Sequence, residues 1–227
     1  MTTARPGPVT LDVVMAAYNR ADTITAALRS ALAQRGADVR VTVVDDAGDD
    51  DTADVVVALD DQRVRYLRRE SNGGIAAARN TGLDACDREW IAFLDADDIW
   101  PPDRTEQLAR ALTGVPGPSV AVGLVEHFGE HDALEFDPTP TRGLLAGGIL
   151  LRRGDFDLVG PFDPSLRTGE FVDWFTRARE FGLTEIDIDE IVLRRRVHPS
   201  STAASRRDLR TDYLDTVRAH LSRVRGS

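Results

Sequence analysis

The sequence predicts an α/β fold, one domain with a mostly parallel central sheet held in an α/β/α sandwich. Three observations carry that expectation. Through the first 95 residues, short apolar runs alternate with segments of helical character, the pattern of a parallel sheet covered on both faces. Two of the apolar runs, 39–44 and 90–94, end directly in carboxylates, and open parallel sheets bind their ligands at that end of the strands. The third is size and balance. A chain of 227 residues, 42% of them apolar, is long enough for one core that removes roughly 70% of the unfolded surface from water.

Taken in order, residues 10–15 (TLDVVM) form the first strand, which Tyr18 and Asn19 interrupt. Asp22 is placed to cap a helix over about 23–34. The second strand, 39–44, runs into Asp45 and Asp46, and a helix over about 52–59 follows an acidic stretch. A third strand at 64–67 leads through the SNGG turn into a helix over 75–83, whose three consecutive alanines suit a close neighbour. The fourth strand is 90–94. Beyond Trp100 the pattern changes. Pro101 and Pro102 precede a helix over 103–112, a loop at 114–118 and a strand over 120–125; residues 126–142 are irregular or form an edge hairpin. Residues 144–151 contain Gly147 and Gly148, as a strand with a tight backbone approach would. Helices at 155–158 and 170–180, a strand at 188–197 and a last helix at 207–224 complete the chain. No repeat or long linker divides it, so residues 1–227 read as a single domain.

Charge and cysteine content exclude several classes. There are 38 acidic and 28 basic residues, a net charge of -10, and every basic residue is arginine. That balance disfavours nucleic acid. It leaves room for a small polyphosphate brought to carboxylates by a metal ion. One cysteine excludes an internal disulfide framework, and Cys86 reads as a small buried apolar residue. No run of 18 apolar residues predicts a transmembrane helix. The first ten residues lack the apolar stretch of a signal peptide, which makes the cytoplasm the expected compartment.

The carboxylates carry the functional signal. Residues 45–61 hold eight aspartates and no basic residue. Asp49, Asp50, Asp51, Asp54, Asp60 and Asp61 read as a solvated acidic loop, whereas Asp45 abuts an apolar strand and needs a partner or a ligand. Asp95 and Asp97, two residues apart on a turn, suit one hard divalent cation; alternatively Asp97 or Asp98 caps a turn before Trp100. In SNGGIAAARNTGL, Gly73 and Gly74 turn the chain into a helix N-terminus that favours anions. Arg79 in that helix is either a structural ion pair or a diphosphate contact. The glycine spacing is neither a dinucleotide fingerprint nor a Walker loop.

Together, VVMAAYNR, VVDDAGDDDT, NGGIAAARNTGL and IAFLDADDIW resemble the metal-dependent glycosyltransferases of the GT-A fold, specifically the inverting family 2. The resemblance is close over the first 100 residues and looser beyond. It implies a donor-binding half at about 10–100 and an acceptor-binding, catalytic half at about 101–227. The implied donor is a nucleotide-diphosphate sugar, UDP-sugar favoured, and the implied cofactor Mn²⁺ or Mg²⁺, which neutralises the departing diphosphate. Ala17 and Tyr18 match the lip of the nucleotide pocket, Asp45 the carboxylate that recognises the base, and Arg79 an arginine near base or diphosphate. Asp95 matches a position near ribose or metal, and Asp97 the principal metal ligand. RRRVHPSST resembles a late element in which His198 and basic residues such as Arg196 approach diphosphate and metal; a surface histidine before Pro199 is the plain alternative. Strand alternation would put Arg194 and Arg196 on one face and Arg195 on the other. His127, His131 and His220 read as ordinary surface residues.

The sequence departs from the family in RTGEFVDWFTRA. Glu170 is present, but Phe171 stands where relatives carry an aspartate as catalytic base. Glu170, near a helix N-terminus that favours carboxylates, and Asp173, three residues on along the same face, are the two candidate bases. Asp173 also reads as a helix-internal anchor, and Phe171, Trp174 and Phe175 as an apolar platform or as core. The implied function is metal-dependent inverting sugar transfer to a hydroxyl acceptor: a carbohydrate, a lipid-linked carbohydrate, a peptide or a small natural product. A nucleotide-sugar-binding protein without transfer activity and a sugar-phosphate nucleotidyltransferase are the alternatives, the latter lacking its usual glycine-rich basic loop. From Arg194 onward nine arginines face three aspartates, which allows a peripheral membrane contact or a homodimer contact.

Overall fold

A computed structural model describes residues 8–129 and 139–197. The chain runs β1 (Val9–Ala17), α1 (Ile24–Leu32), β2 (Ala37–Asp45), α2 (Thr52–Val57), β3 (Val64–Arg68), α3 (Gly74–Asp84), β4 (Trp90–Phe93), α4 (Arg104–Ala111), β5 (Ser119–Gly129), β6 (Thr141–Arg142), a 3₁₀ turn (Ala146–Gly148), β7 (Ile149–Arg152), α5 (Arg153–Val159), α6 (Glu170–Glu180) and β8 (Thr184–Val197). One sheet has the order β3-β2-β1-β4-β7-β5-β6, with β8 paired to β5. The four strands of the first half are mutually parallel. Beyond them β7 is antiparallel to β4 and β5, β6 is antiparallel to β5, and β8 is parallel to β5. The sheet is therefore mixed, its four parallel strands all lying before residue 94.

Strand alternation sorts the core into two layers. Val13, Met15, Ala92 and Leu94 share one cluster with Ile24, Leu28, Val56 and Leu108, from α1, α2 and α4. Val14, Ile91 and Phe93 share the other with Ala76, Leu83, Phe156 and Trp174, from α3, α5 and α6. The sandwich has α1, α2 and α4 on one face and α3, α5 and α6 on the other. Gly82 is what lets α3 lie close: a methyl group there would overlap Val14 Cγ1 and press on Val44. Cys86, at the exit of α3, is buried, and its thiol donates to the Gly82 carbonyl. Burial pushes that thiol up to about 12.

Several local expectations are corrected. Asp22 does not cap α1; Thr23 holds that position without a side-chain hydrogen bond, and the Thr23 and Ile24 amides bond to the Arg20 carbonyl instead. Residues 144–148 are not strand, because a 3₁₀ turn intervenes before β7. For 126–142 the edge-hairpin alternative holds: the end of β5 and the short edge strand β6 pair antiparallel, with 130–138 outside the described residues. The expected helix at 207–224, His131 and His220 also lie outside them. Trp100, 2% exposed, donates from Nε1 to the Gly147 carbonyl at 3.0 Å. Beneath its ring, 3.9 Å from the centroid, lies the fully buried guanidinium of Arg104, which donates to the Ile149 carbonyl. Burial pulls Arg104 down to about 9. These contacts pin the turn after β4 to the 3₁₀ turn and β7.

Candidate active site

The chain order β1-β2-β3, then β4 on the other side of β1, puts a topological switch point between β1 and β4, where open sheets take ligands. A cleft of ≈ 420 Å³ opens there. Ala16 to Arg20 from the end of β1, Asp46, Asn72 and the start of α3, Asp95 to Asp98, and Arg195 and Arg196 from β8 line it.

Its upper rim is stitched by the acidic loop. Asn19 adopts φ 53°; its amide donates to Asp49 (2.7 Å) and accepts from the Asp49 N–H (2.8 Å). Asp50 accepts from the Ala21 and Thr52 amides at 2.9 and 3.0 Å and from the Thr52 hydroxyl. Burial works against it, but these donors hold the Asp50 carboxyl below its ordinary value. Asp49 and Asp50 are exposed, as expected of a solvated acidic loop, and they also serve as joints between two loops. Asp46 accepts from the Gly73 and Gly74 amides, the latter at 2.7 Å, and pairs with Arg69. The anion that the start of α3 favours is therefore one of the protein's own carboxylates.

Asp45 points the other way. It is 1% exposed and accepts from the Gly48 amide (2.8 Å), the Tyr66 hydroxyl (2.5 Å) and Arg68 (3.0 Å). It is not among the residues lining the cleft, whereas Ala17, Tyr18, Asp95, Asp97 and Arg196 are. Tyr18 stands at the rim, 48% exposed.

Asp95 and Asp97 face the cleft from one turn. Arg20 Nε lies 3.5 Å from Asp97 Oδ2, and Arg196 Nε donates to the Asp97 carbonyl at 3.2 Å. The Arg196 amide donates to buried Asp98 at 2.8 Å. Burial, and then the charges of Asp95 and Asp97, push the Asp98 carboxyl well above the usual carboxylate range. Ile99 and Arg194 exchange both backbone hydrogen bonds, so the end of β8 is laced to this turn. Among the described residues no three acidic, histidine or cysteine side chains gather as a metal cluster. Two hard oxygen donors beside a cationic side chain do fit Mg²⁺ or Mn²⁺, ions whose remaining positions are commonly filled by phosphates and water. His198, the third expected ligand, lies outside the described residues.

Arg79 is 3% exposed and does not line the cleft. Nη2 donates to Asp95 at 2.7 Å and Nη1 to Glu170. Burial pulls against it, yet the charges of Asp95 and Glu170 keep the Arg79 guanidinium above its ordinary pKa. Of the two open sequence alternatives, the structure has the ion pair. Asp173 accepts from Arg177 at 2.9 Å, and Arg177 also donates to the Val159 and Pro161 carbonyls. Asp173 thus belongs to a strap joining α6 to the segment after α5. Phe171, Trp174 and Phe175 are 5%, 0% and 2% exposed, and Trp174 stacks on Phe156 at 4.9 Å. They are core, not an open platform. Arg20, Asp46, Asn72 and Arg195 also line the cleft, and sequence reasoning did not single them out; strict strand alternation would have turned Arg195 away from the face of Arg196.

Comparisons with known proteins agree with this architecture. The family model described as glycosyl transferase family 2 matches residues 12–157. The succinoglycan biosynthesis protein ExoO of Rhizobium meliloti (strain 1021) is 50% identical over 109 residues, 48% of this chain and 31% of that protein. The UDP-Glc:alpha-D-GlcNAc-diphosphoundecaprenol beta-1,3-glucosyltransferase WfaP of Escherichia coli is 38% identical over 90 residues, 40% of this chain and 36% of that protein. The crystal structure of S. aureus TarS 1-349 in complex with UDP-GlcNAc superposes with a TM-score of 0.69 at 19% identity, covering 87% of this chain and 61% of that one; this likeness shows the fold. In each case the chain spans less than two thirds of the relative's length. The family match runs from β1 into α5, over more than half of the sequence, and the chain accordingly belongs to glycosyl transferase family 2.

Proposed function

We propose that this chain transfers a sugar from a nucleoside-diphosphate sugar, UDP-linked, to a hydroxyl acceptor with inversion, using Mn²⁺ or Mg²⁺ held by Asp95 and Asp97. The observation that carries the reading is the convergence of Asp95 and Asp97 with Arg20 and Arg196 at the switch-point cleft. It is supported by the UDP-sugar ligand and substrate in the names of two similar proteins. When bound, the ion supplies charge neutralisation for the departing diphosphate. In this reading Arg20 and Arg196, which line the cleft, meet phosphate oxygens, and Tyr18 covers the base at the rim.

Glu170 is our assignment for the base, because its carboxylate is joined through Arg79 to Asp95, while Asp173 is turned to Arg177. It takes the proton of the acceptor hydroxyl as that oxygen bonds to the anomeric carbon and the bond to the diphosphate breaks. Such a base must come within about 3 Å of the hydroxyl. Calorimetric titration with UDP, GDP, TDP and CDP, each with and without Mn²⁺, tests the donor site. Selective, metal-dependent binding of UDP is expected; folded protein that binds none of the four overturns the assignment. The Glu170→Gln, Asp173→Asn double variant is expected to lose sugar transfer while nucleotide binding stays measurable.

One observation favours a second reading, a donor-binding protein without transfer activity: the position where relatives carry the base is the buried ring of Phe171. UDP binding without release of UDP from any UDP-sugar, with or without acceptors, would favour it.

A further inference from the structure

Asp95 and Glu170 lie on different elements, 75 positions apart in sequence, and meet on one guanidinium. The Asp95 side chain is 41% exposed and opens to the cleft; that of Glu170 is 9% exposed and belongs to α6. Arg79 between them is held in plane by its two carboxylates and by the rings of Phe93 and Phe162, each centroid 5.8 Å from its guanidinium carbon. A planar fork of this kind serves two acceptors at fixed angles. Neither carboxylate can gain or lose the arginine without altering what the other receives.

We propose that Arg79 is a positioning residue that couples the donor end of the cleft to Glu170, so that the charge on Glu170 sets how strongly Asp95 attracts a cation although Glu170 is not itself a ligand. The inference rests on the donor reading above. With Glu170 ionised, the positive charge of Arg79 is divided between two carboxylates. In Glu170→Gln it falls wholly on Asp95, which then offers less negative charge to the cleft. Asp95 drawn toward a cation, in turn, releases Arg79 to Glu170 and holds that carboxylate in place for its acceptor-side task.

The test is calorimetry of UDP binding to the full chain, in Mn²⁺ and in EDTA. In Glu170→Gln the affinity for UDP in Mn²⁺ is expected to fall by about fivefold or more, the low end of ordinary coupling between sites, with affinity in EDTA unchanged. In an Arg79→Lys background, where the fork is lost but the charge kept, the same substitution is expected to have a smaller effect. An unchanged affinity in Mn²⁺, an equal loss in EDTA, or strict additivity of the two substitutions overturns the coupling. Should Glu170→Gln fail to fold, Glu170→Asp carries the test, since withdrawing the carboxylate by one methylene is expected to weaken only the Mn²⁺-dependent binding. Wild-type protein that binds no UDP defeats the donor reading; wild-type binding with indifferent variants defeats this inference alone.

Discussion

Asp45 and Asp46 stand side by side at the end of β2 and do different work. Asp45 is consumed inside the protein by Gly48, Tyr66 and Arg68; Asp46 lines the cleft and binds the amides that open α3. Which of two adjacent carboxylates faces a ligand depends on the pleat at the strand's last residue, and sequence spacing does not carry that. Asp95 and Asp97 were more legible, since two residues of separation on a turn keeps both on one side. Phe171 was legible as a departure from the family but not in its consequence. Its ring is buried between Trp174 and Phe175. Installing the aspartate that the resemblance implies, Phe171→Asp, is therefore expected to destabilise the fold by about 4 kcal/mol or more, from lost packing and a carboxylate in an apolar layer. Equilibrium denaturation measures this; an unchanged midpoint would contradict the placement of that ring.

Elements were easier to read than their ends. The α6 bounds and the parallel strands follow from apolar periodicity, which reports burial directly. The cap of α1, the 3₁₀ turn and the early start of β8 were not legible, because tertiary hydrogen bonds decide them. The two loops joined by Asp50 make this measurable. A carboxyl held below its ordinary value adds stability that is complete above that value and disappears as pH falls through the lower, folded one. The Ala21 and Thr52 amide resonances are accordingly expected to titrate together, with a midpoint below the ordinary aspartate range; a midpoint at or above it would mean the joint is not formed. The close seating of α3 gives a second prediction. Gly82→Ala improves helix propensity by about 1 kcal/mol but forces a methyl group into Val14, whose branched side chain has little freedom to move. Overpacking of this kind costs about 1–3 kcal/mol, so thermal unfolding is expected to show a net loss.

At the scale of the whole molecule, the sheet changes character beyond β4, where parallel pairing gives way to antiparallel. Its parallel half collects the carboxyl ends of β1, β2 and β4 at one crevice, while β7, inserted antiparallel beside β4, brings the second half against it. The first half was legible because each of its parallel strands needs a covering helix and so alternates. In the second half the elements were legible but their pairing was not, because antiparallel strands and a β8 that pairs with a distant β5 leave no such rhythm. Cys86 sits where the exit of α3 meets the sheet, and it is the chain's one thiol. Its burial and high pKa leave almost no reactive thiolate in the closed state. Alkylation by an excess of maleimide must therefore wait for the α3 layer to lift from the sheet, and its rate becomes a clock for that opening, running without any introduced label. The modification is expected to be far slower than that of a free cysteine and to accelerate in Gly82→Ala, where the layer is held less firmly.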